Sequence, residues 1–206
     1  MKNFKLFLST AFFAAILFSA CEPHVCPECE PCNHEETDGV LINGVVWAPY
    51  NVDAFGKFAA SPESFGMLYQ WNRQKAWNNI YESVTGWDDA LPEGTTWETQ
   101  NDPCPDGWRV PVLEELEKLF EVDNEWTTQN GVYGRKFVSG NDSIFLPAAG
   151  SRNNNNGTLS NVGASGNYWS STNNSINLAF GLGFSNDSFY VSFIKTYGLS
   201  VRCVAE

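Results

Sequence analysis

Three thiols stand at Cys-x-x-Cys-x-x-Cys spacing, Cys26, Cys29 and Cys32, with His24 and His34 on either side. Thiolate and imidazole at such spacing are ligands for zinc or copper. A structural metal site also needs a folded surrounding, and residues 22–39 are Pro- and acid-rich with no apolar period. The segment therefore reads as a solvated tether whose thiols oxidise outside the cytoplasm, and no metal is expected there. Two further cysteines, Cys104 and Cys203, lie far apart in the remaining chain. Both histidines precede residue 40, so residues 40–206 hold no imidazole for a general base, a Ser-His triad or a metal. Paired carboxylates of the glycosidase kind remain conceivable, but among 24 acids no spacing singles out a pair. A binding protein rather than an enzyme is expected, with no cofactor.

Charge narrows the class of partner. The 206 residues include 12 Lys and Arg against 24 Asp and Glu, a net charge of −12. That balance excludes a basic nucleic-acid interface and docking on anionic lipid through a basic patch. Aromatic residues make up 15% of the chain, with 8 Trp, which excludes a disordered polymer.

Lys2 and Lys5 precede a fifteen-residue apolar run, Leu6 to Ala20. The run is too short to span a bilayer and suits a signal-peptide core over residues 1–20. It ends Phe18-Ser19-Ala20-Cys21, which resembles a bacterial lipobox with Cys21 as the lipidated residue. Ordinary cleavage beside a bystander Cys21 is the alternative. Removal of residues 1–20 takes two Lys and no acid, leaving 10 basic and 24 acidic residues, or −14. Residues 21–39 become the tether, and a lipid anchor in the bacterial envelope, at the outer membrane and cell surface, is expected. The lipid is then the chain's membrane contact.

The elements that must position any site begin at residue 40. Val40–Trp47 reads as strand, Asn-Gly turn, strand. Phe65, Leu68, Tyr69 and Trp71 predict a short helix within Ser61–Lys75. Residues 77–107 read as long ordered loops pinned by Trp77, Trp87 and Trp97. Leu113, Leu116, Leu119 and Phe120 share one face of an amphipathic helix. Phe137–Pro147 reads as a strand pair around Gly140-Asn141, and residues 165–204 as strands separated by Asn, Gly and Ser turns. The fold class is α+β: one domain, 40–206, with short strands, one or two helices and long loops. In an exported domain Cys104 and Cys203 are expected to pair. Closing a loop of about 100 residues would stabilise the fold by about 4–5 kcal/mol in the chain-entropy model. Two buried free thiols are the alternative.

Asp102-Pro-Cys-Pro-Asp-Gly-Trp-Arg-Val-Pro111 followed by Glu114-Glu115-Leu116 resembles the signature of the Fibrobacter succinogenes major paralogous domain. So do Gly66-Met-Leu-Tyr-Gln-Trp-Asn-Arg73, Leu146-Pro-Ala-Ala-Gly150, Tyr168-Trp-Ser-Ser171 and Ser200-Val-Arg-Cys-Val204. The matches run in family order across residues 42–206. The resemblance implies a C-type-lectin-like fold, related in architecture to formylglycine-generating enzymes. Calcium is a possible ligand of such folds, although no EF-hand-like carboxylate spacing is present. Val112 stands where the family has a helix-capping Thr, a loss of about 1 kcal/mol. Trp108 reads as a core anchor, and Arg109 as a fork to carbonyls or a carboxylate before it reads as a ligand contact.

Asn153–Asn156 is an Asn run, and Asn161, Asn167, Asn173, Asn174, Asn177 and Asn186 follow. Residues 173–198 contain no Trp, Met, Gln, Glu or Arg, and one Lys, Lys195. The window resembles the variable region of targets of diversity-generating retroelements. Adenine randomisation of Asn codons yields a residue set lacking Trp, Met, Gln, Lys and Glu, and Lys195 alone falls outside it. The competing explanation is that Asn, Gly and Ser simply populate turns.

Strand alternation assigns the faces. Phe180, Leu182 and Phe184 form one side, with Gly181, Gly183 and Ser185 on the other. Phe189, Val191 and Phe193 are expected to be buried. Ser188, Tyr190, Ser192 and Ile194 are expected to face outward, joined by Tyr197 and Ser151. Aromatic anchors flanked by Gly and Ser are how paratopes gain contact area with adaptable packing. The expected activity is non-covalent recognition of an extracellular protein or glycan by a monomer. A fixed-specificity carbohydrate-binding or adhesin-tip module is the alternative, and a carboxylate-dependent enzyme the third reading.

Overall fold

Asn43 and Gly44 both take positive φ, 46° and 79°, the conformation that a two-residue hairpin turn demands and that Asn-Gly supplies most readily. They join β1 (Val40–Ile42) to β2 (Val45–Asn51), as expected from the sequence. Asn130-Gly131 repeats the device between the strands Asp123–Gln129 and Val132–Ser139. The computed structural model describes residues 38–206, so Cys21, the Cys26/Cys29/Cys32 run, His24 and His34 lie outside the described residues.

The chain continues through β3 (Leu68–Tyr69), β4 (Ala76–Trp77), β5 (Trp108–Arg109) and the helix α1 (Leu113–Glu117). A meander follows, β6 (Asp123–Gln129), β7 (Val132–Ser139) and β8 (Asp142–Pro147). Then come β9 (Ser151–Arg152), β10 (Leu159–Ser160), β11 (Gly166–Asn173), β12 (Leu178–Phe184), β13 (Phe189–Ile194) and β14 (Arg202–Ala205). The described domain is thus mostly β-sheet with one short α-helix. The last strand returns to the first sheet, which runs β1-β2-β14-β5, while β6-β7-β8 and β11-β12-β13 form antiparallel three-stranded sheets.

Adjacent residues of a strand point to opposite faces, and in β11 both faces are buried. Tyr168 packs with Leu182, Phe184, Phe137 and Trp47 in one cluster. Its neighbour Trp169 packs with Trp71, Ala179 and the Cys104–Cys203 pair in another. The β11-β12-β13 sheet therefore sits between two cores. Arg202 ties β14 to this interior. Its Nε donates to Asn51 Oδ1 at 2.9 Å, and its other nitrogens donate to the Ala48 and Phe145 carbonyls. Burial lowers this guanidinium to about 10.

No helix forms within Ser61–Lys75. Tyr69 instead bridges Leu199, and Trp71 donates its amide to the Lys195 carbonyl at 3.0 Å. The helical spacing there reflects burial of a strand and a turn between two clusters: Tyr69 and Trp71 pack in the second core, while Leu68 and Phe65 pack with Trp77 and Ala149. The predicted helix at Leu113 is present but lasts five residues, with Leu116 and Leu119 buried. Val112 gives it no side-chain cap. The Thr172 hydroxyl of β11 accepts the Leu113 amide at 2.9 Å instead, so a neighbouring strand supplies the missing acceptor.

Candidate functional site

The β11–β12 turn, the Asn-rich loop and the end of β13 enclose a groove of about 480 Å³. Its polar wall comes from Asn154, Asn155, Ser175, Asn177, Thr196 and Asp89, and its apolar surface from Leu91, Leu178 and Ile194. The volume lies in the range of about 300–1,000 Å³ usual for small-ligand sites. Leu178 and Ile194 are cross-strand partners, which fixes the apolar part on the rigid sheet. The loops are held by their own backbone chemistry. Asn153 Oδ1 accepts the Asn155 amide, Ser175 Oγ accepts the Leu178 amide, and Trp87 Nε1 donates to the Asn154 carbonyl. Thr196 is 2% exposed. Its carbonyl accepts Gln70 Nε2 at 3.0 Å, but no hydrogen bond is made by its hydroxyl among the described residues. Asp89 is the groove's single ionisable group, so the wall favours a neutral or cationic ligand.

The residues chosen from strand alternation divide. Ser188 and Ser192 are exposed, and Ser192 Oγ accepts from Asn174 Nδ2. Ser151, Ser185, Ile194 and Tyr197 are half-buried, with Ile194 on the groove and Tyr197 packed against the second core. Tyr190 lies in β13, paired with Gly183. Gly181 and Gly183 are buried, against the expectation of an open glycine face. The reason is steric. The Phe193 ring lies 3.2 Å from where a Gly181 Cβ would stand, and the glycine leaves the ring that room. Phe189 and Val191, expected inside, are 39% and 41% exposed. A register shift between Phe180 and Gly183 separates the two ends of β13. Phe193 accordingly packs edge-on to Trp169 in the second core, whereas Phe189 meets Phe120 at the rim of the first.

Ser185 and Ser188 lie at the other end of β12, in a turn remote along the strand from the groove. Arg135, from β7, secures that turn, donating to the Ser185 and Asn186 carbonyls at 2.8 and 2.9 Å and to Asn124 Oδ1. The Asn run pointed to part of the groove, but Asp89, Leu91 and Thr196 had no signal in the sequence. The first two come from an aperiodic loop, and a lone Thr between a Lys and a Tyr is ordinary strand composition.

A second concavity, about 510 Å³, lies over the Trp-Arg-Val-Pro segment and is lined by Trp97, Trp108, Asp102 and Arg109 among others. Arg109 forks onto Glu115 with contacts of 2.7 and 2.8 Å, the carboxylate alternative foreseen for it. Burial pushes Glu115 up, but the Arg109 hydrogen bonds and the Val112 amide outweigh it and hold the carboxyl below its ordinary value. Asp102 goes the other way: burial raises it, although the Val110 and Cys104 amides donate to it. The Cys104 and Cys203 sulfurs stand at bonding distance, 2.09 Å, clipping β14 to the loop before Trp108.

Over residues 121–204, less than half of the chain, the sequence matches a domain of unknown function, DUF8237. The match spans the β6–β8 meander, the Asn-rich loop, the whole β11-β12-β13 sheet and the start of β14. No curated protein and no solved structure matches the chain.

Proposed function

We propose that this chain is a lipid-anchored surface protein whose β-rich domain, C-type-lectin-like in architecture, holds an extracellular ligand in the Asn-lined groove. The observation that carries the reading is the origin of the groove wall. Seven of its nine lining residues fall between Asn154 and Thr196, and the pocket rests on the sheet bearing the restricted residue set. Lys195, the one residue of window 173–198 outside that set, is fully buried, where a diversified surface would not reach it. This supports retroelement diversification of the groove. The resemblance of five motifs to the Fibrobacter paralogous domain supports the fold, and the signal-peptide and lipobox pattern supports the location.

A fixed-specificity module is the second reading, favoured by the neutral amide and hydroxyl wall, which suits a glycan as well as a protein. The flanking DNA separates the two. A near-repeat of the 151–204 coding segment, differing at adenines and lying beside a reverse-transcriptase gene, supports diversification, and its absence supports a fixed ligand. Binding itself is tested by probing arrays of extracellular proteins and glycans with the full chain and with Asn177→Ala and Ile194→Arg. The expected result is a ligand whose binding falls at least tenfold in both variants. Recognition that survives both changes would overturn the groove as the site.

A further inference from the structure

One wall of the groove has no regular structure to hold it. From the end of β4 at Trp77 to the 3-10 turn at Thr99 the chain is loop, and within that loop Asp89 and Leu91 line the groove. Both are exposed, Leu91 by 42%, so burial does little to fix them where they stand.

The short turn at residues 70–73 does this instead. It is anchored in the second core by Tyr69 and Trp71, which are fully buried. Arg73 donates its amide to the Gln70 carbonyl at 3.2 Å, with Asn72 between them at φ 56°. The polar side chains of this turn all bind the loop. Gln70 is 1% exposed, and its Nε2 donates to the Asp88 carbonyl at 2.6 Å and to the Thr196 carbonyl at 3.0 Å. A side-chain amide nitrogen carries two hydrogens. Here one goes to each side of the groove, because Thr196 lines it and Asp88 precedes Asp89. Arg73 pairs with the Asp88 carboxylate and donates to the Ala90 carbonyl at 2.5 Å. Asp88 Oδ1 in turn accepts the Ala90 amide at 3.0 Å, so Asp89 is bracketed on both sides. Asn72 Oδ1 accepts the Glu98 amide at 2.8 Å. Farther out, Lys75 Nζ donates to the Gly86 carbonyl and Lys195 Nζ to the Gly94 carbonyl. Release at residues 88–90 would therefore loosen a short stretch and leave its flanks tied.

We propose that Gln70 and Arg73 are positioning residues of the groove, setting the Asp89 and Leu91 wall at a fixed distance from Thr196 without lining the site themselves. The inference rests on the groove reading above and adds the residues that decide its selectivity. An exposed ion pair alone contributes little. Arg73 is forked between a carboxylate and a carbonyl, which fixes direction as well as distance. A wall held in place discriminates between ligand shapes, whereas a mobile one accepts more shapes and loses ordering entropy with each. Gln70 and Arg73 lie outside residues 173–198, so the spacing of the groove is set apart from the stretch of restricted composition.

The test compares the full chain with Gln70→Met, Arg73→Met and Arg73→Lys. Amide exchange at Ala90 and Leu91 is expected to quicken at least tenfold in both Met variants. A smaller change is expected in Arg73→Lys, which retains the ion pair and loses the fork. Residues 104–108 should keep their rates. On arrays of extracellular proteins and glycans, the ratio between bound spots is expected to shift at least threefold in the Met variants, with Arg73→Lys restoring part of the parent pattern. Where a single spot binds, the corresponding result is a fivefold loss with unchanged melting. A merely structural role would dim every spot in proportion. Proportional dimming, binding like the parent's, or unchanged exchange at Ala90 and Leu91 in Arg73→Met overturns the proposal. Arg73 is partly exposed, so its variants carry the test should Gln70→Met not fold. If Asn177→Ala and Ile194→Arg abolish binding while these variants bind as the parent does, the positioning falls and the groove stands. If the parent chain binds nothing on the arrays, the groove reading falls, and the exchange rates still decide whether Gln70 and Arg73 hold the wall.

Discussion

The Lys195 ammonium lies 4.3 Å from the centroid of the Trp71 ring, and the residue has no exposed surface. Its nearest acceptor is the Gly94 carbonyl at 3.5 Å, and no carboxylate pairs with it among the described residues. The ring face offers a cation about 0.5–2 kcal/mol. Burial lowers the ammonium below its ordinary value of 10.5. The unfolded chain therefore holds the proton more tightly than the folded one between those two values. Stability from this residue rises with pH through that window, and the cost is fully present below it.

Lys195→Met keeps the stem and removes the charge. Melting at pH 7 is expected to be unchanged or higher, because replacing a buried charge by an apolar group is often neutral or stabilising. The difference between the two chains should shrink as pH rises toward 10. A loss above about 2 kcal/mol at pH 7 would show that the ring contact outweighs desolvation.

Reduction of the Cys104–Cys203 pair, or Cys203→Ser, is expected to cost about 2–5 kcal/mol in denaturant unfolding. In the native chain neither thiol should take up an alkylating agent without reductant. Free alkylation of both would refute the bond.

The elements that sequence alone revealed are those with a local cause. Asn43-Gly44 states its turn because the backbone there needs positive φ. Leu116 marks the buried face of its helix, and Leu119, three residues on, continues that face into the turn that follows Glu117. The missed features are tertiary. A Phe-Gly-Leu-Gly-Phe run looks the same whether its glycine side meets water or the Phe193 ring, since glycine has no side chain to signal burial. The register shift in β12 leaves no mark on composition. The aromatics of Phe65–Trp71 fit helical spacing, yet the Leu199 bridge and the Lys195 carbonyl hold that stretch in another form. The groove was half legible, as an Asn run, because its other wall is a loop without pattern.

Arg135→Ala removes the donors that hold the Ser185 and Asn186 carbonyls. Faster amide exchange in residues 185–189 is expected, with a stability loss of about 0.5–1.5 kcal/mol, because Ser185 is half-buried and Asn186 exposed, so water can take up the freed carbonyls. The Cys104–Trp108 loop should keep its exchange rates. Uniform loosening of both regions would mean that Arg135 acts on the whole fold and not on the turn.

Whether the β11-β12-β13 sheet is covered on both sides can be decided by five substitutions. Phe184 is fully buried beside Tyr168 and Trp126, so Phe184→Ala should cost about 3–5 kcal/mol. Gly181 lies on the opposite side, where an added Cβ would come 2.4 Å from the Tyr168 carbonyl oxygen and 3.2 Å from the Phe193 ring. The carbonyl belongs to a paired backbone and cannot move away cheaply, so Gly181→Ala should cost at least the 1–3 kcal/mol typical of overpacking. Val191 is 41% exposed, and Val191→Ser should stay within about 0.5 kcal/mol. Ile194→Ser and Tyr197→Ser, both at half-buried positions, should fall between, near 1 kcal/mol. The pattern differs from that of a sheet with one wet face, where Gly181→Ala would be neutral or stabilising and Val191→Ser costly. Thermal melts of the set read the outcome directly. A silent Gly181→Ala would put the glycines back on an open surface, where they could belong to a ligand site.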